Sequence, residues 1–401
     1  MRQLHLISAM YSSKGHGREY IEEFCFRLKD NFQITLYLAS KIKIDSFSND
    51  INIVTIDVDY EKTNAENFRK YKFFAPYIRS LSKQKKSYNY YKAIVAKQLI
   101  KKDSIVYIMD YDVFPLPFLI KGLKKFEVDI YLWIHSAKLD SKDFLYNAYK
   151  RIFIYIFNNK ILKGVNGVIV NGVKIKTVLE NHLDISKDKI HVIQYPSILK
   201  YKKIEKKEAR KQLKFKKDEN IVLFFGLLRR DKNIEKLVRI ISKCKSQPKL
   251  IIAGAEASIT KKEIIGWVEK YNLENFYLDI DYISERKIAL YYSCSDLLIL
   301  TYDLESKSQS GPLSLAREFT LPVIVSNSEE IGYYVKSNNV GVVINSYNDE
   351  DFSKEIDSYF INFKENNRYY HQKINIAKEK FSWEVARELY INIFTKQNRN
   401  V

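Results

Sequence analysis

The sequence predicts two doubly wound α/β domains. Short apolar runs rich in β-branched and aromatic residues recur along the 401-residue chain, and several are continuously apolar rather than alternating. That pattern is typical of strands in a parallel sheet with both faces covered. Helical segments separate the runs, and the strand–helix alternation occurs twice, once in each half of the chain.

The apolar runs predict strands in two series. The first series occupies residues 4–8, 33–38, 51–57, 104–110, 129–135, 167–171 and 190–196. The second occupies residues 220–226, 249–254, 275–280, 296–302, 322–327 and 340–345. Residues 18–30 and 233–244 show helical periodicity, since apolar residues recur there every three or four positions.

A Lys- and Glu-rich segment with little strand pattern, residues 196–219, separates the two series. We interpret it as a solvated linker with one surface helix. The first domain is therefore predicted at 1–198 and the second at 199–375. Residues 376–401 are predicted to form a C-terminal helix that packs back on the first domain.

The composition is that of a globular protein, with 46% hydrophobic and 29% charged residues. Three scattered cysteines form no C-x-x-C motif, which argues against a disulfide framework or a thiolate zinc site and favours a reducing compartment. No segment reads as a signal peptide or a membrane span. We expect a cytoplasmic protein, either free or at the inner face of the cell membrane.

The net charge of +19 has two interpretations. One is a Lys-rich composition spread over solvated surfaces. The other is attraction to an anionic partner such as phosphorylated substrates or lipid headgroups. Residues 68–102 interleave basic and aromatic side chains, which fits either membrane-surface contact or an ordinary helix packed on its sheet. No nucleic-acid motif accompanies them, so no nucleic-acid partner is expected.

Ligands of parallel sheets bind outside the carboxyl ends of the strands, and two such domains suggest a cleft between them. The loop after the first strand carries Gly15, His16 and Gly17 directly before a helix, where close backbone approach and the helix N-terminus favour anions. A plain strand–helix turn explains this loop equally well.

One phosphate signal is FFGLLRRDKN at residues 224–233. A buried strand ends at Gly226, and Arg229 and Lys232 follow just before a helix. Cations are unfavourable at a helix N-terminus without an anionic partner, so the pair indicates a diphosphate site. The alternative is a solvated first helical turn, with Arg230 the exposed member.

A second phosphate signal lies in residues 300–327, where a strand is followed by a polar loop and then an apolar helix. Pro312 suits the first helical position, and the backbone amides around Ser310, Gly311 and Leu313 would face an anion there. The alternative is a core helix capped by Ser310.

Three further residues end strands of the first domain. His135 follows a strongly apolar strand, and Asp110 and Asp112 follow another. Each has a catalytic or acceptor-binding interpretation and a structural one. The six histidines show no paired spacing, so no metal site is predicted.

These motifs resemble those of retaining glycosyltransferases of family 4, which have the GT-B fold of two Rossmann-like domains facing a cleft. Gly226, Arg229 and Lys232 match the family's phosphate-binding loop. Gln309, Ser310, Gly311, Pro312 and Leu313 match its donor-binding turn, and FSWEVARELYINIF resembles its closing helix. In the first domain, His135 matches the family's cleft histidine, and Gly15 to Gly17 match the family's glycine loop.

The sequence departs from this family at two glutamates that many members carry with seven residues between them. Lys307 and Leu315 occupy those positions here, with Glu305 and Glu318 nearby as replacements for donor or acceptor contact.

The resemblance implies transfer of a hexose from a nucleotide-diphosphate sugar to a glycan or polyprenyl-linked acceptor, in bacterial surface polysaccharide synthesis. It further implies that Arg229, Lys232 and the backbone amides of the donor-binding turn stabilise the leaving diphosphate, without a metal or other cofactor. A GT-B nucleotide-sugar epimerase and a non-enzymatic protein binding anionic polymers are the alternatives.

Overall fold

Two parallel sheets flanked by helices make up the computed structural model. The structure describes residues 1–8, 16–39, 50–58, 75–134, 144–196, 201–303, 310–345 and 348–396, with the backbone alone for 16–17, 75–80 and 144–149. The chain divides into two units, Met1–Gln194 with Ala386–Val401, and Tyr195–Val385.

The first unit is built on one sheet. Its strands are β1 (Arg2–Ser8), β2 (Phe32–Ala39), β3 (Asn52–Ile56), β4 (Ile105–Asp110), β5 (Asp129–Ile134), β6 (Gly167–Val170) and β7 (Ile190–Val192). Its helices are α1 (His16–Leu28), α2 (Ala75–Ala96), α3 (Leu116–Lys124), α4 (Phe144–Ile156) and α5 (Val173–His182). The strand order is β3-β2-β1-β4-β5-β6-β7, and all neighbouring strands are parallel.

The second unit repeats this architecture. Its helices are α6 (Lys206–Gln212), α7 (Ile234–Ser242), α8 (Lys261–Lys270), α9 (Glu285–Cys294), α10 (Gly311–Phe319), α11 (Glu329–Asn338), α12 (Asp349–Ile361) and α13 (Phe363–Lys380). Its strands are β8 (Ile221–Phe225), β9 (Lys249–Ala253), β10 (Phe276–Asp279), β11 (Leu297–Leu300), β12 (Val323–Ser326) and β13 (Gly341–Ile344). The order is β10-β9-β8-β11-β12-β13, again all parallel.

Each apolar run of the sequence overlaps one of these strands, and β1 and β2 extend past the ends of their runs. The central strands are buried along their whole length, as β8 and β11 show. Continuous apolar runs fold this way because helices cover both faces of a parallel sheet. The helical periodicity at 233–244 corresponds to α7, whose Leu237, Val238 and Ile241 are buried.

The segment between the two sheets differs from the predicted solvated linker. Its helix α6 buries Ala209 and Arg210, and the Arg210 guanidinium lies 2.8 Å from an Asp296 carboxylate oxygen. Asp296 also accepts a hydrogen bond from the Ile221 amide at the start of β8. The prediction of a surface helix is therefore wrong for Arg210, because a buried ion pair anchors α6 to the second sheet.

The last helix, α14 (Trp383–Thr395), packs on the first unit. The Tyr390 hydroxyl contacts the Tyr20 hydroxyl of α1, and the Tyr131 hydroxyl donates to the Ile393 carbonyl at 3.0 Å. The Tyr390 ring meets the Phe24 ring edge-on, with centroids 4.8 Å apart. These buried contacts fix α14 beside α1.

Candidate functional site

The ends of β8 and β9 approach each other closely through two glycines. Gly226 directly after β8 has a φ of +111°, and its amide donates to the Ala253 carbonyl at 2.9 Å. A Cβ at Gly254 would lie 2.1 Å from the Gly226 carbonyl oxygen. Only glycine fits at positions 226 and 254, so these two residues allow the backbone segments after β8 and β9 to approach this closely.

Lys232 lies against Gly226 with its side chain buried. A Cβ at position 226 would be 2.8 Å from the Lys232 Nζ and 3.3 Å from the Pro312 Cγ, so three separate elements meet at this point. The ammonium also lies over the rings of Phe224 and Tyr302, 5.6 and 5.5 Å from their centroids. The site therefore consists of a cation held in an aromatic and glycine-lined recess.

Burial, with a smaller contribution from the nearby Arg229 charge, lowers the pKa of Lys232 to about 8, although the Asp231 charge opposes the shift. Within the part of the chain that the structure describes, no carboxylate forms an ion pair with this ammonium. A buried charge without a counterion is costly, because desolvation of an ammonium is not repaid. This recess therefore favours an incoming anion.

Hydrogen bonds fasten the loop that carries Lys232 to the end of β11. The Thr301 hydroxyl donates to the Lys232 carbonyl at 2.9 Å, and the Asp303 amide donates to the Asp231 carbonyl at 2.9 Å. Asn233 adopts the left-handed conformation, with a φ of +50°, and its side-chain amide donates to Asp303 at 2.5 Å. These hydrogen bonds fix the position of the backbone that carries the Lys232 side chain.

Arg229 and Arg230 both face solvent. Arg229 pairs with Asp231 at 2.9 Å, with 48% of its side chain exposed. Arg230 pairs with Glu263 of α8 at 2.9 Å and is 68% exposed. Arg229 is thus the less exposed of the two, and binding an anion there would exchange the Asp231 carboxylate for the ligand.

The N-terminus of α10 lies beside this recess through Pro312. Ser310 caps the helix, since its hydroxyl accepts from the Leu313 amide at 3.3 Å, and the Tyr302 hydroxyl lies 3.4 Å from the same oxygen. Gly311 begins the helix. The Leu313 amide, predicted to face an anion, is therefore occupied by the cap and would become available only if the Ser310 hydroxyl turned away.

Glu318 lies away from this end of α10. It is buried eight residues further along the helix, roughly 12 Å along its axis. Its carboxylate is 3.8 Å from the Lys378 ammonium of α13, and burial lowers the pKa of Lys378 to about 8. The Glu318 side chain thus packs between α10 and α13, and its donor contact stays a prediction.

Asp110 and Asp112, two of the residues predicted from sequence, lie at the carboxyl end of the sheet of the first unit. Asp110 at the end of β4 accepts a hydrogen bond from Ser8 at the end of β1. Asp112 is buried, accepts from Ser87 and pairs with Lys83 at 3.0 Å. Both carboxylates are thus held by neighbouring groups of the fold.

Several predicted residues lie outside the described residues. Gly15, His135, Glu305, Lys307 and Gln309 are among them, and His16 and Gly17 are described only as the backbone at the start of α1.

Sequence reasoning did not select Tyr302, which joins Ser310 to the recess of Lys232. Its ring is buried, and burial raises the pKa of its hydroxyl to about 12. The only sequence signal was its position directly after β11, at the carboxyl edge where ligands of such sheets bind.

Among the described residues, no group of His, Cys, Asp or Glu has the arrangement of a metal site. Over the same residues, no helix combines the length and apolar character needed to cross a bilayer. The three cysteines are buried as free thiols, and burial raises the pKa of Cys294 to about 12.

Residues 205–376 match the family model of glycosyl transferases group 1. The match covers less than half of the chain and lies within the second unit, which is therefore a glycosyltransferase domain. A comparison with curated protein sequences finds no match.

Solved structures resemble the chain over nearly its whole length. Sucrose-phosphate synthase from Thermosynechococcus elongatus has a TM-score of 0.73 at 16% identity, covering 98% of this chain and 99% of that chain. WaaG, a glycosyltransferase involved in lipopolysaccharide biosynthesis, has a TM-score of 0.70 at 12% identity, covering 98% and 100%. Anabaena HepE in complex with UDP has a TM-score of 0.70 at 14% identity, covering 97% and 98%.

These likenesses establish the GT-B fold. Together with the domain match, they define a glycosyltransferase of GT-B architecture. The predicted GT-B fold and the prediction of a glycosyltransferase are thereby confirmed.

Proposed function

We propose that this protein is a retaining glycosyltransferase of family 4 that moves a hexose from a nucleotide-diphosphate sugar to a glycan or polyprenyl-linked acceptor. Its place would be bacterial surface polysaccharide synthesis, at the inner face of the cell membrane. The observation that carries the proposal is Lys232, a buried ammonium that forms no ion pair with a described carboxylate and feels the Asp231 charge only from a distance. A diphosphate would supply the missing negative charge.

The elements around Lys232 suit a departing diphosphate. Arg229 offers a fork of donors within reach of solvent, and Gly226 lets phosphate oxygens approach the backbone. As the glycosidic bond to the leaving group breaks, negative charge grows on the diphosphate. Preorganised cations at that position stabilise the transition state more than the ground state.

Two neighbours support the donor class. HepE has been solved with UDP, with UDP and glucose, and with UDP-glucose. WaaG acts in lipopolysaccharide biosynthesis. Retention would follow from attack on the same face as departure, with the leaving phosphate accepting the proton of the acceptor hydroxyl. The cations take the role that a metal plays in other transferases, so we propose that no metal is required.

Calorimetric titration with UDP and GDP tests the donor site. We expect one diphosphate to bind, and Lys232→Ala to weaken it about 10- to 150-fold, the range for a hydrogen bond to a charged group. Arg229→Ala should weaken it less, because that arginine gives up its contact with Asp231 on binding. Arg230→Ala is the matched control and should bind normally. Unchanged affinity in Lys232→Ala, or loss of binding with a chelator, would contradict the proposal.

Turnover separates the enzyme classes. Incubation of the sugar nucleotide with lipid-linked and glycan acceptors should yield a glycoside with the anomeric configuration of the donor, read by NMR. Inversion of that configuration would reject the retaining mechanism. Conversion of the donor sugar without any acceptor would instead identify an epimerase.

A further inference from the structure

Two neighbouring helices of the first unit, α2 and α3, carry positive charges and no negative ones. The sequences of both helices contain lysines but no Asp or Glu. The two helices touch where Gly122 lies against Val95, since a Cβ at Gly122 would be 2.8 Å from a Val95 methyl group. Their outward sides therefore form one continuous surface, here called the α2–α3 surface.

Large apolar side chains are exposed on the same surface. Leu81 is 69% exposed, Phe114 48%, Tyr88 40% and Phe118 38%. The rings of Tyr88 and Phe118 contact each other across the two helices, with centroids 4.7 Å apart. Exposure of such an apolar cluster to water is unfavourable, and exposed apolar patches mark interaction sites.

The lysines alternate with these apolar groups at helical spacing. On α2, Leu81, Lys85, Tyr88 and Lys92 follow one another at intervals of three or four residues on the exposed side. On α3, Phe118 is followed one turn later by the exposed Lys121. Among the described residues, Lys85, Lys92 and Lys121 are exposed and form no ion pair, so their charge is available to a partner.

We propose that the α2–α3 surface docks on a membrane containing anionic lipids. The lysines would meet lipid headgroups, while Leu81 and the three rings would enter the boundary between headgroups and acyl chains. A soluble polyanion such as nucleic acid would use the lysines but would gain little from Leu81, which is why a lipid surface fits better. The inference rests on the proposed function, since a polyprenyl-linked acceptor lies in such a membrane.

Sedimentation of the full chain with vesicles tests this surface. We expect binding to vesicles of phosphatidylglycerol and phosphatidylcholine, weak binding to phosphatidylcholine alone, and a decline as salt is raised. Lys85→Gln with Lys121→Gln should weaken binding to the anionic vesicles about 25-fold, at about fivefold for each lysine near a charged surface. Leu81→Ser with Phe118→Ser should weaken it about tenfold or more, and both positions are exposed, so the fold should persist.

The control changes a similar pair on the second unit, Lys262→Gln with Ile265→Ser on α8, both exposed. It should bind vesicles as the unchanged protein does. Equal loss in this control, or no loss in the Leu81 and Phe118 variant, would overturn the inference. Heparin binding as tight as vesicle binding, together with vesicle binding that the Leu81 and Phe118 changes do not weaken, would also overturn it, in favour of a soluble polyanion.

UDP titration of the same preparations keeps the two proposals apart. Normal UDP affinity without vesicle binding would reject the α2–α3 surface and leave the donor site intact. Vesicle binding without affinity for any nucleotide would reject the proposed function instead, and with it the acceptor argument for the membrane.

Discussion

Replacing Lys232 with methionine should stabilise the free protein while disabling its donor site. The pKa of Lys232 falls from the usual 10.5 to about 8 because the side chain is buried. At pH 7 that shift corresponds to about 3 kcal/mol of unfavourable free energy in the folded state. Loss of the contacts with the Phe224 and Tyr302 rings would offset about 1 kcal/mol. Lys232→Met should therefore raise the free energy of unfolding by about 2 kcal/mol.

The stability gained by Lys232→Met should decrease as the pH is raised. In the unfolded chain the lysine binds its proton more tightly than in the folded chain, so raising the pH from 8 to 10.5 relieves the penalty in the unchanged protein. The stability difference between Lys232→Met and the unchanged protein should be full below pH 8 and vanish near pH 10.5. Urea unfolding of the second unit, followed at several pH values, measures it.

An exposed lysine provides the control for that measurement. Lys262→Met on α8 should change the free energy of unfolding by no more than about 0.5 kcal/mol. If Lys232→Met proves less stable than the unchanged protein at pH 7, or if its effect does not vary with pH, the idea of a buried cation lacking a counterion is refuted.

Three other outcomes follow from the same geometry. Diphosphate affinity should be constant just below pH 8 and fall up to tenfold per unit above it in calorimetry, because binding favours protonated Lys232; a flat profile would exclude that lysine. Gly254→Ala should cost about 3 kcal/mol in urea unfolding, because its Cβ would overlap the Gly226 carbonyl. Asp296→Asn should cost about 3–5 kcal/mol by leaving the buried Arg210 guanidinium without its carboxylate.

Matched substitutions serve as controls for the unfolding measurements on Gly254→Ala and Asp296→Asn. Gly266→Ala lies on the exposed side of α8 with open space around its Cβ, and it should stabilise by about 0.5–1 kcal/mol. Asp218→Asn on the surface should change stability by less than about 0.5 kcal/mol. A stable Gly254→Ala would mean that β8 and β9 separate more easily than the backbone contact implies. Full stability of Asp296→Asn would mean that α6 is held by other contacts.

The strands and the turn that follows β8 were predictable from sequence because their signals are local. Continuous apolar runs mark buried parallel strands, and Gly226 followed by Arg229 and Lys232 marks a turn with charges before a helix. Arg210 was not predictable in this way. Its partner Asp296 is far along the chain, and a Lys-rich segment reads as solvated unless the pairing is known.

The N-terminus of α10 shows that one sequence motif can predict both a helix cap and a phosphate-binding turn. Ser310 has the residue type of both a helix cap and a phosphate-binding turn, and the structure has its hydroxyl on the Leu313 amide. A cap satisfies the same donor that an anion would need, so without ligand the helix favours the cap. A diphosphate could take that amide only by displacing Ser310, whereas Lys232 needs no such exchange. The buried lysine, rather than the helix end, therefore carries the case for an anion at this site.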